Sequence, residues 1–314
     1  SYPDALEELQ TGGYMQILPS APSVADGTCT PEENNYEYTV GTENSTYTLS
    51  FCSGKQVSDL SPGPLCMTPG GITTCVEGGE TPSVVDCSSH TNENVCSYNG
   101  DSYNIAQIGS QIWFSDNLNT SLYNNGVTEI EFNHDTWTSV VEANNDPAWS
   151  WPSDGTTIYQ DYGKLYNSFA VETGNLCPSG WHVPTHDELT DLERAVCNLL
   201  GNSSCDTTFP YDTTTVGWLG DEEGSALAGG LSLWGSGDLI SSLSFGLSGF
   251  DALPLGRRYG DGNYQGFGTR AFVWSSTVYD QYYRWTRYMT STLTEPTRNR
   301  DYKTTGFPVR CLKD

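Results

Sequence analysis

A chain of 314 residues with a formal charge of −26 lies far outside the range of roughly 2 to 8 that keeps a small domain soluble, so its self-repulsion must be offset by salt, bound cations or a partner. That balance excludes nucleic acid as a partner class. No run of eighteen apolar residues is present, and the chain starts at Ser1 without a signal-peptide pattern, so a mature or trimmed form is expected, with any membrane anchor upstream of Ser1.

The length suits two domains, each burying its own core. Ser1 to Leu9 reads as the end of a helix, with Pro3 in the first turn, Asp4 and Glu7 at the positive N-terminus and Gly12-Gly13 as the stop. The alternating runs Asn35–Val40 and Ser45–Cys52, separated by a Gly-Thr-Glu-Asn turn, predict a β-hairpin that Cys29 and Cys52 could close. Residues 77–84 are small, polar and rich in Pro and Gly, which places a linker there and divides the chain into residues 1–80 and 81–314.

Asp101 to Leu118 alternates in strand fashion, and Gly126 to Asp161 is loop-rich, with Trp137, Trp149 and Trp151. The clearest helix begins at Thr185: Thr185-His186-Asp187-Glu188 forms a capping box, and Leu189, Leu192, Val196 and Leu199 follow at helical spacing. From Ser232 onward the segments are short, Gly-rich and aromatic, with Glu223–Leu227 the one further helix candidate, so the fold class is α+β with irregular loops.

Ten cysteines, Cys29, Cys52, Cys66, Cys75, Cys87, Cys96, Cys177, Cys197, Cys205 and Cys311, form an even set without C-x-x-C spacing, which reads as disulfides and an extracellular or cell-surface location. The basic residues are concentrated at one end. Residues 250–314 hold ten of the thirteen Lys and Arg and only six acids, a segment of +4 in a chain otherwise at −30.

Ser1–Leu9, Gly13-Tyr14, Leu18-Pro19 and Tyr47–Cys52 together resemble the soluble end of a type IV pilin or pseudopilin, over roughly the first seventy-five residues. That resemblance implies a small α+β domain and contacts with pilus subunits through a hydrophobic helix that in that family precedes this point. Further on, Tyr162–Asn167, Leu176–Thr185, Leu253–Gly256, Trp274–Thr277 and Gly306–Cys311 occur in an order and spacing similar to the Fibrobacter succinogenes major paralogous domain, from about Val95 onward. Trp181–Thr185 with its acidic helix also resembles the formylglycine-generating branch of the C-type lectin fold. The resemblance implies a C-type lectin-like domain: a helix pair on a twisted sheet, termini brought together, Cys177 joined to Cys311 and Cys197 to Cys205.

Between Trp274 and Gly306 Tyr, Trp and Arg crowd together, the residue types that dominate binding hot spots and paratopes. The expected ligand-binding set is Arg257, Arg258, Tyr259, Asn263, Tyr264, Arg270, Asp280, Tyr282, Tyr283, Arg284, Trp285, Thr286, Tyr288, Thr290, Arg298, Arg300, Asp301 and Tyr302, with Gln265 and Arg287 beside it. The segment resembles the variable region of diversity-generating retroelement proteins, in which adenine-directed mutagenesis turns Asn codons into Tyr, Asp, Ser, Thr or Arg. The resemblance implies a receptor or adhesin binding a protein or glycan on another cell or surface. The alternatives are a lectin of fixed specificity, with Trp149, Trp151 and Trp285 lining one groove, and a structural filament subunit.

An enzyme is not expected. Every cysteine has a plausible disulfide partner, and the catalytic cysteine pair of the formylglycine-generating family is unmatched. His182 and His186, at spacing four, lack the glutamate of a zinc-protease motif, and they and His90 and His134 read as packing residues. No cofactor is expected beyond a structural calcium, for which Asp261-Gly262-Asn263 and Asp221-Glu222-Glu223 are weak candidates that read first as turns.

Overall fold

The computed structural model describes residues 86–89, 94–130, 132–138 and 146–314 in full, together with the backbone of Val85 and of four strands upstream. The chain divides into two compact units, Ser1–Val84 and Val85–Asp314. In the first, β1 (Glu37–Val40), β2 (Tyr47–Ser53), β3 (Gly63–Thr68) and β4 (Gly71–Thr74) form an antiparallel meander. The predicted hairpin is the β1–β2 pair, with Glu37 opposite Ser50 and Val40 opposite Tyr47. The predicted Ser1–Leu9 helix, the linker, His90 and the side chains of Cys29, Cys52, Cys66 and Cys75 lie outside the described residues.

The second unit opens with β5 (Val85–Asp86), β6 (Val95–Tyr98), β7 (Asp101–Ile108) and β8 (Gln111–Phe114). The alternating run from Asp101 is therefore two strands, broken at Gly109. Gly109 has φ +61°, and a Cβ there would stand 2.9 Å from the Ala195 Cβ, so both backbone hand and helix approach require glycine. Short strands β9 (Trp149–Ser150), β10 (Leu165–Tyr166), β11 (Trp181–His182) and β12 (Gly217–Trp218) lead to β13 (Leu255–Arg258), β14 (Tyr264–Phe267), β15 (Arg270–Val278), β16 (Tyr283–Thr290), β17 (Thr297–Tyr302) and β18 (Leu312–Lys313). Two sheets dominate: β11-β18-β8-β7-β6-β5, which brings the last strand beside the early hairpin, and β12-β17-β16-β15.

Two apolar cores sit on opposite sides of these strands. Neighbouring residues divide between them: Phe114, Phe272 and Trp274 enter one core with Tyr103, Trp181 and Phe307, whereas Trp113, Ala271 and Val273 enter the other with Val196, Phe250 and Met289. Burial on both sides explains why Ala271–Trp274 is a continuous apolar run. The helix His186–Leu199 closes the second core with Leu189, Leu192 and Val196, each worth about 1.5–3 kcal/mol of burial. Leu199, in the last turn, is exposed instead.

The predicted capping box is formed at both ends, Thr185 Oγ1 accepting from Glu188 N and Glu188 Oε2 accepting from Thr185 N. The Glu223–Leu227 helix is formed, and like the other described α-helices it spans five residues or fewer, so the helix pair that the resemblance implies has no second long member among the described residues. Cys177–Cys311 and Cys197–Cys205 are bonded as the family resemblance implies, and Cys87 is bonded to Cys96.

His182 bridges Glu188 at 3.0 Å and Asp314 at 2.5 Å. The Glu188 hydrogen bond outweighs partial burial and, with Asp314, pushes the imidazole up to about 9. Burial opposes ionisation of Glu188, but His182 and Thr185 hold its carboxyl down at about 2. The bridge therefore contributes in full between about pH 4.5 and 6.5, weakens as pH climbs from there through 9, and weakens again as pH falls from 4.5 through 2. In melting curves taken across pH, His182→Gln is expected to lower Tm at pH 5–6.5 and to converge on the parent above pH 9; a gap unchanged across that range would show that the imidazole does not titrate in this way.

Candidate binding surface

Strand pleating sorts the aromatic and arginine residues of β16 and β17. Tyr283, Trp285 and Arg287, opposite Tyr302, Arg300 and Arg298, point towards the side of the His186–Leu199 helix; Arg284, Thr286 and Tyr288, opposite Asp301, Asn299 and Thr297, point the other way. The segment expected to be one display surface thus has two faces and a buried middle.

On the helix side the middle is a charge knot. Glu193, 1% exposed, accepts from Arg287 Nε at 2.6 Å and from Arg298 Nε at 3.0 Å and Nη2 at 2.8 Å. Arg298 also donates to Pro210 O at 2.7 Å and Thr190 Oγ1 at 3.1 Å. Trp285, 1% exposed, packs on His186 with ring centroids 4.2 Å apart. Burial, then the charges of Arg287 and Arg298, push His186 down to about 4, so the ring stays neutral near pH 7. Arg298 and Trp285 therefore hold sheet to helix and are unavailable to a ligand.

Four more of the expected ligand-binding residues are structural on the opposite side. Arg284 is buried, donating to Ser168 Oγ at 2.6 Å, Glu172 Oε1 at 3.0 Å and the carbonyls of Ser275 and Ser276. Thr286 is fully covered. Arg258 donates to His134 O at 2.9 Å and Ser150 Oγ at 2.8 Å, while Tyr264 shares a hydrogen bond with the same Ser150 at 2.9 Å. Arg284, Thr286 and Arg258 are inside and Tyr264 is half-covered, because a buried guanidinium or hydroxyl is tolerated once its donors are matched, which periodicity alone does not reveal.

Two outward groups remain. At the β15–β16 turn, Asp280 Oδ1 accepts from the backbone of Tyr282 and Tyr283 and sets the turn. Around it Tyr282 and Tyr302 are 61% and 56% exposed, Tyr283 lies 4.6 Å from Tyr302 between ring centroids, and Arg300 sits 4.5 Å over the Tyr279 ring. Tyr279 in turn rests edge-on against the buried Trp285.

The second group lies on the other face, beside the β13–β14 hairpin. Arg257 donates to Asp301 Oδ2 at 2.8 Å and stacks 4.4 Å over Tyr259. Gln265 Oε1 accepts from Arg257 Nη2 at 2.7 Å, Tyr259 Oη at 2.8 Å and Arg270 Nη1 at 3.4 Å. Gly256, at φ +64°, makes this possible: a Cβ there would stand 2.4 Å from Gln265 O and push the hairpin apart. Asp301 is itself buried, accepting also from Thr305 Oγ1 at 3.1 Å, and so anchors Arg257. Tyr288 is half-buried, with Trp218 edge-on to it at 5.3 Å. Trp218 escaped the sequence reading because its place follows from the β12–β17 pairing, which spans a long separation, and Asn299 because its face follows from the register of β16 on β17.

The remaining expected residues belong to turns. Asn263 donates to Asp261 Oδ2 at 2.9 Å, and Thr290 pairs with Thr292 at 3.2 Å. Glu223 is buried, accepting from Asp221 N and Asn202 Nδ2. No group of three or more His, Cys, Asp or Glu side chains placed to hold a metal occurs among the described residues. The expected tryptophan groove is not formed: Trp149 and Trp151 flank the Lys164 ammonium at 4.8 and 4.2 Å, while Trp285 is buried against the helix.

No match is found among curated proteins or among solved structures. The model of the Fibrobacter succinogenes major domain matches residues 106–313, which takes in the β12-β17-β16-β15 sheet, the strands β8, β11 and β18 of the other, the His186–Leu199 helix and both outward groups, and the chain belongs to that family.

Proposed function

We propose that the protein is a binding protein of the cell surface or extracellular space, a receptor or adhesin of C-type lectin-like architecture, and that it acts by contact rather than by catalysis. The observation that carries this reading is the turn cluster Tyr279, Tyr282, Tyr283, Tyr302 and Arg300: large rings left in water at the end of a sheet whose underside is immobilised. Such rings present contact area at little entropic cost, and exposed aromatic patches of this kind mark interaction sites. Three disulfides, each persistent in oxidising surroundings, support the location. The return of β18 beside β8 and the helix packed on the sheet support the lectin-like architecture. All six described cysteines are bonded, which favours binding over thiol chemistry. The pilin-like reading of the first unit adds carriage on a pilus-like element, and the partner is a protein or glycan on another surface.

Diversification of the segment is part of this proposal, restricted by burial. Asp280, Tyr282, Tyr283, Thr290, Arg300 and Tyr302 can vary without opening a core, whereas Thr286, Tyr288, Arg298 and Asp301 are covered or packed against one. Its signature would be a near-copy of the encoding DNA differing at adenines beside a reverse transcriptase gene; without both, the surface is fixed and the binding reading stands alone.

The direct test is binding of labelled protein to a glycan array and to whole cells, with and without chelator, for the parent and for Tyr282→Ser/Tyr302→Ser. Both positions are exposed, so Tm should move by less than about 2 °C. The expected result is a specific signal reduced at least tenfold, in keeping with about 2 kcal/mol for a hot-spot pair. No specific signal on either support, or one that the variant retains in full, would refute it.

A further inference from the structure

Three donors converge on one neutral oxygen at the hairpin. Arg257, Arg270 and the Tyr259 hydroxyl all aim at Gln265 Oε1, and Gln265 is an exposed side chain on β14. Two guanidinium groups meeting at an amide oxygen is an incomplete match, since guanidinium forks are built for carboxylate or sulfate and bind charged acceptors about twice as strongly as neutral ones. Asp301 compensates Arg257 alone. A further donor, Arg257 Nε, is buried without an acceptor.

From this point the buried Phe272 ring links the corner to two rings further along the face. Arg257 lies 5.5 Å over the Phe272 ring, Phe272 is 5.2 Å from Tyr288, and Tyr288 is 5.3 Å from the exposed Trp218. On neighbouring β17, Thr297 Oγ1 is buried without a partner, opposite Tyr288, and Asn299 lies two residues on, on the same face. Rings for the faces of sugars and neutral polar groups for hydroxyls extend from the cationic end, an arrangement that suits an acidic sugar better than an acidic peptide.

We propose that this face binds an anionic glycan, the acid group of one sugar taking the place of Gln265 Oε1 between Arg257, Arg270 and Tyr259, with a further sugar ring of the same chain against Tyr288 and Trp218. The proposal deepens the binding function but uses the face opposite the tyrosine cluster, so the two readings fail separately. The chain's charge of −26 repels polyanions in general, so attachment of one requires a local site.

The experiment measures binding of polygalacturonate, its methyl ester, dextran sulfate and polyglutamate to the full chain at 0.1 M salt, alongside Tm. Gln265→Glu places a tethered carboxylate in the site: it should raise Tm by about 2–4 °C and reduce polygalacturonate binding at least tenfold. Arg270→Ala, whose side chain holds only this corner, should reduce binding at least tenfold with Tm nearly unchanged, and Tyr282→Ser/Tyr302→Ser should leave it intact. Binding of polygalacturonate and not of its ester assigns a carboxylated sugar, and dextran sulfate binding at the same site assigns a sulfated one; either supports the proposal. Failure of every anionic glycan to bind, equal binding of polyglutamate, or a Gln265→Glu protein with unaltered Tm and binding would overturn it. Loss of glycan binding only in the tyrosine variant would also overturn it while leaving the binding function standing.

Discussion

Replacing Glu193 by alanine is expected to lower the melting temperature by about 6–20 °C, the largest effect of any single substitution considered. Breaking a buried ion pair by removing one partner costs about 3–5 kcal/mol, because the remaining charge stays desolvated and uncompensated. Here two guanidinium groups, Arg287 and Arg298, lose their carboxylate at once while walled in by His186, Thr190 and Pro210. For a unit of this size each kcal/mol moves Tm by roughly 2–4 °C. Glu193→Gln should recover little, since an amide offers one acceptor oxygen where two are used. Calorimetry decides the matter: a shift below about 3 °C would mean that water reaches the knot and screens it.

The second large effect concerns the disulfides, whose loops differ greatly in length. Cys177–Cys311 spans 134 residues and Cys197–Cys205 only 8. Closing the longer loop restricts the unfolded chain by about 5 kcal/mol in the chain-entropy treatment, the shorter by about 2.5 kcal/mol. Cys177→Ala/Cys311→Ala should therefore lower Tm by about 10–20 °C, and Cys197→Ala/Cys205→Ala by about half as much. Both pairs are fully covered, so each change also leaves a small void whose cost is similar for the two. Equal losses for the two variants would rule out loop closure as the dominant contribution.

Sequence legibility followed the range of the interactions. The capping box, the β1–β2 hairpin and the helix from His186 depend on residues a few positions apart and could be read directly. Which arginines face water could not: Arg287 and Arg298 are neutralised by a glutamate more than ninety residues earlier, and the clue, a lone acid on the apolar side of a helix at Glu193, only gains meaning once the sheet is seen to cross it. Tyrosine and threonine hide the same alternation, since both are acceptable inside and outside. The expectation of a single patch failed on the period of the strand, which assigns Tyr288 and Arg300 to opposite faces. The long helix is likewise alone among the described residues because the segments that follow it are too short and Gly-rich to extend.

Interleaving has an evolutionary corollary. Because adjacent positions of β16 serve separate purposes, a single inserted or deleted residue would turn Arg287 away from Glu193 onto the opposite face and drive Tyr288 or Thr286 against the helix. Length is therefore frozen within the strands, and relatives of this chain should gain or lose residues at the turns 279–282 and 291–296 while keeping an unbroken count between them.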